Sequence, residues 1–342
     1  MKMNLKVKSN KRISLLVLTL CMVLGMALPT AGWSKADINL KLGTYFATTD
    51  IRYGQAQYFA NQIAEKSNGK VNIVIYPGEQ LAKAKDAVNA VAGGAIDMYL
   101  PWSAHYAGTF PIFDLVCQPF VYPTFEKANQ AMTEITVLLD EDFQKHGVKV
   151  PFAYVGGTIN IFSESKFYKK PSDLKGEKIA GVGGAVDKMF KSFGAGVVSI
   201  TSPERYLALQ RKIVNATITT NATYWSSRLY EVSPFATVVD NPFPAHFLIV
   251  NIDKCKSFPK GIQDTILNFG ADMQAFSAKS FKEFDQKMYE DLLKMKGTIH
   301  KVSANDTTLY KDQLLKIMED EFKARGELGQ KAMQIVRKYS SY

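Results

Sequence analysis

Residue types that are common in metal sites and disulfide-rich proteins are scarce in this sequence. Its 342 residues include three Cys, four His and three Trp. His105, His146, His246 and His300 are far apart and match no metal-ligand spacing. The chain has no His-Glu-x-x-His, no paired Cys-x-x-Cys and no Gly-x-Ser-x-Gly motif. These absences argue against a zinc site and against the common hydrolases. We therefore expect that the protein is not an enzyme and that it binds no metal and no cofactor.

Long apolar runs are also few, and the pronounced one lies near the start. Residues 13–28 form a run of sixteen residues without a charge, after five basic residues in positions 1–12. Ser34-Lys35-Ala36 then offers small residues at the right offset for cleavage. This order is typical of a secretory signal peptide, and sixteen residues are short for about 30 Å of hydrocarbon. We predict that residues 1–36 are removed near Ala36 and that the rest is exported.

The basic excess shrinks once this segment is removed. The whole chain has 42 Lys plus Arg against 32 Asp plus Glu, a net charge of +10. Residues 1–36 hold six basic residues and no acid, so 36 against 32 remain, or +4. The remaining arginines are few and form no stripe with aromatic residues. We therefore expect no nucleic-acid binding.

Export also bears on the two cysteines that remain, Cys117 and Cys255. An oxidising compartment permits a disulfide between them, but two distant cysteines are not a disulfide framework. Two buried thiols are the simpler expectation, and the disulfide stays open as the alternative.

Short apolar runs alternate with helical patterns along the mature chain. Residues 38–100 follow a β-α-β-α order, which predicts a largely parallel sheet with helices on both faces, and a second such set begins near residue 150. Apolar residues spaced by three and four from about Lys260 to Lys296 predict a long helix of about 50 Å that braces both sets. The sequence thus predicts an α/β protein with two lobes.

Specific segments then become recognisable. The first half contains KLGTYFATTD (41–50), EKSNGKVNIVIYPGEQLA (65–82), GGAIDM (93–98) and FPIFDLVCQPFVYPTFEKA (110–128). The second half contains PSDLKGEKI (171–179), SPERYLALQRKIVNA (202–216), RLYEVSPFATVV (228–239) and LIVN (248–251). Taken in order, they resemble the DctP-type solute-binding proteins of tripartite ATP-independent periplasmic (TRAP) transporters.

This resemblance implies a monomeric periplasmic receptor, with two flytrap-like lobes around a cleft and a long hinge-bracing helix. It would bind a small solute and deliver it to the TRAP membrane subunits. We assign residues 37–156 plus about 246–285 to lobe I, and 157–245 plus about 286–342 to lobe II. Two alternatives stay open: a ligand sensor for a membrane kinase and, more remotely, an exported enzyme.

The sequence departs from the family where a substrate carboxylate is usually bound. The resemblance places an Arg after Lys178-Ile179, but this chain has Ala180 there, and no Arg occurs between Arg52 and Arg205. Burying a carboxylate without a partner costs several kcal/mol. We therefore expect simple dicarboxylates to bind poorly.

The same comparison suggests which residues line the cleft. They are Tyr45, Lys83, Trp102, Asn160, Ala180, Ser202, Thr219, Asn241 and Phe243. The three aromatic residues among them predict a wall that suits a neutral, apolar or aromatic solute. Lys83 is a candidate to replace the missing Arg as a point charge.

Overall fold

The structure is a computed structural model that describes residues 36–200, 202–242 and 246–340, without the side chains of residues 202, 203 and 240. The predicted signal peptide therefore lies outside the described residues, apart from Ala36. None of the helices in these ranges is long and apolar enough to cross a membrane.

The described strands form two mixed sheets and a short antiparallel pair. In chain order they are β1 Ile38–Thr44, β2 Val71–Tyr76, β3 Met98–Leu100, β4 Val148–Lys149, β5 Ala153–Tyr154, β6 Thr158–Ser163, β7 Lys178–Ala180, β8 Gly196–Val198, β9 Ala216–Thr220, β10 Phe235–Pro242, β11 His246–Phe247, β12 Ile249–Asn251 and β13 Thr298–Lys301. The first sheet has the order β2-β1-β3-β12-β4, and the second has the order β13-β10-β6-β9-β7-β8. Strands β11 and β5 form the pair.

Helices connect and cover these strands. In chain order they are α1 Ile51–Lys66, α2 Ala87–Ala92, α3 Pro111–Val116, α4 Phe125–Leu138, α5 Asp140–Lys145, α6 Gly184–Ser192, α7 Ser202–Gln210, α8 Asn221–Ser226, α9 Ile252–Ser257, α10 Lys260–Leu267, α11 Gly270–Lys294, α12 Ala304–Lys323 and α13 Gly326–Tyr339. Short 3₁₀ turns occupy Ala84–Asp86, Ser103–Tyr106, Pro171–Leu174 and Leu229–Glu231.

The strand directions agree only in part with the predicted parallel sheet. Strand β1 pairs in parallel with both β2 and β3, as the β-α-β-α order requires. Strand β12 is antiparallel to β3 and β4, because the chain returns to this sheet after building part of the second one. In the second sheet, β7 runs parallel to β8 and β9, whereas β10 and β6 are antiparallel. Both sheets are therefore mixed rather than largely parallel.

Helix α1 shows how the sequence pattern places residues near the strand ends. Asp50 caps it by accepting a hydrogen bond from the backbone N–H of Arg52 at 2.9 Å. Phe59 and Ile63 lie on its apolar face and are buried, together with Leu42 of β1. The helix thus starts just after the carboxyl end of β1 and packs on the first sheet.

The predicted long helical segment is present, with an interruption at residues 268–269. Helix α11 alone has 25 residues, about 37 Å at 1.5 Å per residue, shorter than the predicted 50 Å. At this interruption Phe269 packs against Phe59, and Gly270 lies close to Phe152. Ser280 of α11 accepts a hydrogen bond from Gln55 of α1 at 2.8 Å. Helix α11 also reaches the second sheet, through contacts described below.

Cys117 and Cys255 are both buried and both free thiols. Cys117 directly follows α3 and lies in the core, and its sulfur is 3.7 Å from that of Met132. This agrees with the simpler expectation of two buried thiols. Burial raises the pKa of both thiols, so neither has the character of a reactive thiolate.

Candidate functional site

A cleft of about 780 Å³ lies between the ends of parallel strands from both sheets. One wall is formed by Tyr45 after β1, Glu79 after β2 and Trp102 after β3. The opposite wall includes Gly181 after β7 and Ser199 after β8. The carboxyl ends of parallel strands are a common place for ligands in α/β proteins. We call these two surfaces the first-sheet wall and the second-sheet wall.

The first-sheet wall is aromatic. The ring centroids of Tyr45 and Phe46 are 4.3 Å apart, and His105 meets the rings of Tyr45 and Trp102 edge-on at 5.0 and 5.5 Å. The Tyr45 hydroxyl is buried and has no hydrogen-bond partner among the described residues. Burial raises the pKa of Tyr45, so its phenol is neutral. The wall therefore offers ring surfaces to a ligand, whereas the Tyr45 hydroxyl is buried behind them.

His246 lies behind these rings. Its Nδ1 is 3.1 Å from the carbonyl oxygen of Pro101, and its ring meets Phe46 edge-on at 5.2 Å. A Cβ at Gly156 would lie 1.9 Å from His246 Cδ2, so only glycine leaves room for the imidazole. Burial lowers the pKa of His246 to about 3 and that of His105 to about 4. Both imidazoles are thus neutral near pH 7.

Arg52 and Asp50 form a buried ion pair on the first-sheet wall. Arg52 Nε donates to Asp50 Oδ1 at 2.8 Å, and its Nη2 contacts Oδ2. Burial acts to raise the pKa of Asp50, but the guanidinium of Arg52 holds it below its ordinary value. Nη2 also donates to Thr223 Oγ1 at 3.0 Å, and Ser226 Oγ lies 3.5 Å from Asp50 Oδ2. The pair therefore links the two walls.

Arg205 lies on the second-sheet wall and forms no ion pair with any carboxylate that the structure describes. Its Nε, Nη1 and Nη2 donate to the carbonyl oxygens of Ile200, Ile218 and Gly181 at 3.3, 3.4 and 2.6 Å. The residue is buried, and burial lowers its pKa to about 10, so it is still charged at neutral pH. The electrostatic influence of Asp187 acts in the opposite direction.

The structure brings two of the sequence-predicted site residues together on the first-sheet wall, Tyr45 and Trp102. Lys83 is exposed and does not line the cleft. Its ammonium pairs with Glu79 at 3.2 Å, and Glu79 does line the cleft.

Asn160, Thr219 and Ala180 are buried in strands of the second sheet and do not line the cleft. Asn160 is fully buried and donates to Asn221 Oδ1 and to the Tyr289 hydroxyl, both at 2.8 Å. Thr219 is its register partner across β6 and β9. The methyl group of Ala180 belongs to a buried apolar cluster, and the next residue in the chain, not Ala180, faces the cleft.

Of the last three predicted residues, only Asn241 has a described side chain, and it does not line the cleft. Asn241 is buried, donates to the Val239 carbonyl at 2.8 Å and borders a separate cavity of about 140 Å³. Ser202 begins α7, but its side chain is not described. Phe243 lies outside the described residues.

Sequence reasoning missed the two cleft arginines, although a signal for both was present. Arg52 precedes Ala56 by four residues, on the buried face of α1. Arg205 precedes the buried residues Ala208 and Leu209 of α7 by three and four. A charged residue in register with the apolar face of a helix is unusual and marks a buried polar role.

A second groove, of about 530 Å³, lies away from the strand ends. It is bordered by α4 and α11, including Asn129, Thr133, Gln274 and Ala275. Gln274 spans it by donating to the Ala153 carbonyl at 2.9 Å and to Thr133 Oγ1 at 3.2 Å. It provides a useful comparison site for binding experiments.

Comparison with known proteins agrees with this architecture. Residues 42–324 match the DctP family model, described as bacterial extracellular solute-binding protein, family 7. The chain is 24% identical over 291 residues to the 2,3-diketo-L-gulonate-binding periplasmic protein YiaO of Escherichia coli, which covers 84% of this chain and 88% of YiaO.

Solved structures show the same fold. A TRAP periplasmic solute binding protein from Ochrobactrum anthropi matches with a TM-score of 0.80 at 20% identity, covering 89% of this chain and 96% of that one. One from Rhodoferax ferrireducens with bound malonate matches with a TM-score of 0.79 at 24% identity, covering 88% and 98%. These likenesses establish the two-lobed α/β fold.

Proposed function

Because the chain belongs to the DctP proteins, family 7 of the bacterial extracellular solute-binding proteins, we propose that it is a periplasmic receptor for a TRAP transporter. After export and cleavage near Ala36, the monomer binds a small organic solute in the cleft and delivers it to the membrane subunits. The observation that carries this proposal is the cleft at the strand ends of both sheets. The family consists of binding receptors, which favours transport over catalysis.

The two sheets correspond to the two lobes of this receptor. Lobe I comprises residues 37–156 plus about 246–285, and lobe II comprises 157–245 plus about 286–342. Helix α11 braces both: Gln55 contacts it from the first sheet side, and Thr158 donates to its Asp285 at 2.6 Å. The last helix also reaches across, since Lys338 and Glu134 form an ion pair. A solute that touches both walls favours closure through its higher affinity for the closed state.

The family alone does not choose the solute. The relatives named above are described with 2,3-diketo-L-gulonate and with malonate, which differ in size and charge. In this chain Ala180 offers no cation, and its methyl group packs in the apolar cluster. We therefore expect simple dicarboxylates to be poor ligands.

Two measurements test the proposal. Mass spectrometry of the protein purified natively from the periplasm identifies a retained solute, and a thermal-shift screen of small organic solutes identifies others. At 100 times its Kd a solute adds about 2.7 kcal/mol to the free energy of unfolding. Deleting the gene is expected to abolish uptake of that solute.

A matched pair of variants locates the site. Ala47 is exposed and lines the cleft, and Ala275 is exposed and lines the second groove. Ala47→Trp is expected to abolish the thermal shift, and Ala275→Trp to leave it unchanged. The proposal is wrong if no solute is retained or stabilises the protein, or if only Ala275→Trp blocks binding.

A further inference from the structure

The charges of the first-sheet wall are compensated within that wall. Asp50 and Arg52 neutralise each other as a buried pair. The Glu79 carboxylate accepts hydrogen bonds from the Ala84 N–H at 2.8 Å and from the Lys83 ammonium at 3.2 Å. Because each acid has a basic partner, this wall presents no net charge to a ligand.

The imidazoles of this wall add no charge either. His105 lines the cleft and His246 lies behind it, and the burial of both favours the neutral ring. A ligand that meets the first-sheet wall therefore meets aromatic rings and neutralised ion pairs.

Arg205, in contrast, has no carboxylate within 4 Å in the part of the chain that the structure describes. The carboxylate of Asp187 acts on it from farther away, and its Oδ1 accepts the backbone N–H groups of Val182 and Gly183 at 3.0 Å each. Three of the five guanidinium N–H groups donate to carbonyl oxygens. Two donors lie outside these bonds, on a residue that lines the cleft.

We propose that Arg205 binds the carboxylate of a solute that carries a single negative charge and an otherwise apolar or aromatic body. The inference rests on the proposed function. A monocarboxylate would balance the uncompensated guanidinium, and its body would lie against Tyr45 and Trp102. A second carboxylate would be buried without a counter-charge, which disfavours it strongly.

The experiment compares ligands that differ only in charge. Isothermal titration calorimetry uses a panel of triplets on shared skeletons, one being phenylacetate, phenylacetamide and phenylmalonate, together with any solute retained by the native protein. We expect a monocarboxylate to bind at least about 30-fold more tightly than its neutral amide and than the matching dicarboxylate.

Variants then separate a binding role for Arg205 from a structural one. Arg205→Gln is expected to lower affinity for the acid to that for the amide, whereas a purely structural role would weaken both and keep their ratio. Arg205→Lys keeps the charge without the planar fork, and it is the variant to use if Arg205→Gln does not fold. Arg211→Gln, which removes an exposed arginine just after α7, is expected to bind as the wild type does.

The outcomes for the two proposals are distinguishable. A bound solute that is neutral or carries two negative charges overturns the inference and leaves the receptor function in place. An acid-to-amide ratio that is unchanged in Arg205→Gln, or in Arg205→Lys where Gln does not fold, also overturns it. A native protein without any solute, stabilised by no member of the screen, contradicts the receptor function itself.

Discussion

The two walls of the cleft hold a buried arginine in different ways. On the first-sheet wall Arg52 lies against the carboxylate of Asp50, which neutralises the positive charge of the guanidinium. On the second-sheet wall Arg205 lies against three backbone carbonyl oxygens, whose dipoles stabilise the cation without neutralising it. A buried charge can therefore be tolerated with or without cancellation, and only the second arrangement leaves a field that attracts an anion.

The largest expected effect, on stability and on ligand preference, comes from removing the counter-ion that distinguishes Arg52 from Arg205. Asp50→Asn leaves Arg52 charged, buried and without its counter-ion. Breaking a buried ion pair from one side lowers the free energy of unfolding by about 3–5 kcal/mol. The cleft would then hold two uncompensated cations, so its preference should shift from monocarboxylates towards dicarboxylates. Urea unfolding and calorimetry measure the two effects.

A double variant is the control for this prediction. Asp50→Asn with Arg52→Gln removes both charges together, and we expect it to recover most of the lost stability. An Asp50→Asn protein within 1 kcal/mol of the wild type would show that the amide introduced at position 50 and the Thr223 hydroxyl suffice to hold Arg52. The walls would then not differ in the way described.

Much of the fold followed from local patterns. Strand β1, helix α1 and strand β2 appear where apolar alternation and the three-four spacing place them. The pairing of β12 was not predictable in this way. This strand lies antiparallel between β3 and β4 because the chain comes back to the first sheet after forming part of the second, and local patterns do not encode that return. The interruption at residues 268–269 coincides with the contact of Phe269 with Phe59, a residue far away in the sequence, so the helical spacing alone did not predict it.

The site was less predictable than the fold. Tyr45 and Trp102 directly follow strands, so their place at the strand ends could be inferred. Asn160 also belongs to a strand, but its amide is committed to Asn221 and Tyr289, a network that no linear spacing reveals. The resemblance directed attention to the end of β7, where this chain has Ala180. The cation that lines the cleft is Arg205 of α7, so sequence reasoning missed it.

The neutral imidazoles of the first-sheet wall predict a pH dependence. The pKa of His246 is lowered from 6.5 to about 3 in the folded protein, so the unfolded chain takes up the proton first. The free energy of unfolding therefore falls as the pH decreases below 6.5, by about 1.4 kcal/mol per pH unit from this group, or about 2 kcal/mol by pH 5.

The variant His246→Asn removes that titration and can keep a hydrogen bond to the Pro101 carbonyl. Its stability deficit relative to the wild type should be largest at pH 7 and shrink by about 2 kcal/mol at pH 5. The neighbouring groups Asp50, Arg52 and His105 are present in both proteins and largely cancel in the difference. Parallel stability curves for the two proteins would mean that His246 is protonated in the folded state, and the first-sheet wall would then carry a charge.

The smallest expected effect concerns the contact that joins the walls. Thr223→Val removes the hydroxyl that accepts from Arg52 Nη2 at 3.0 Å and keeps the branched shape of the side chain. A hydrogen bond to a charged group at a half-buried position contributes about 1 kcal/mol, so solute affinity should fall about fivefold through a lower population of the closed form. Small-angle scattering without solute should show a larger radius of gyration.

The control is Ser227→Ala, because Ser227 lines the cleft but its hydroxyl makes no hydrogen bond within the described residues. Equal affinities for Thr223→Val and Ser227→Ala would show that the solute alone holds the walls together.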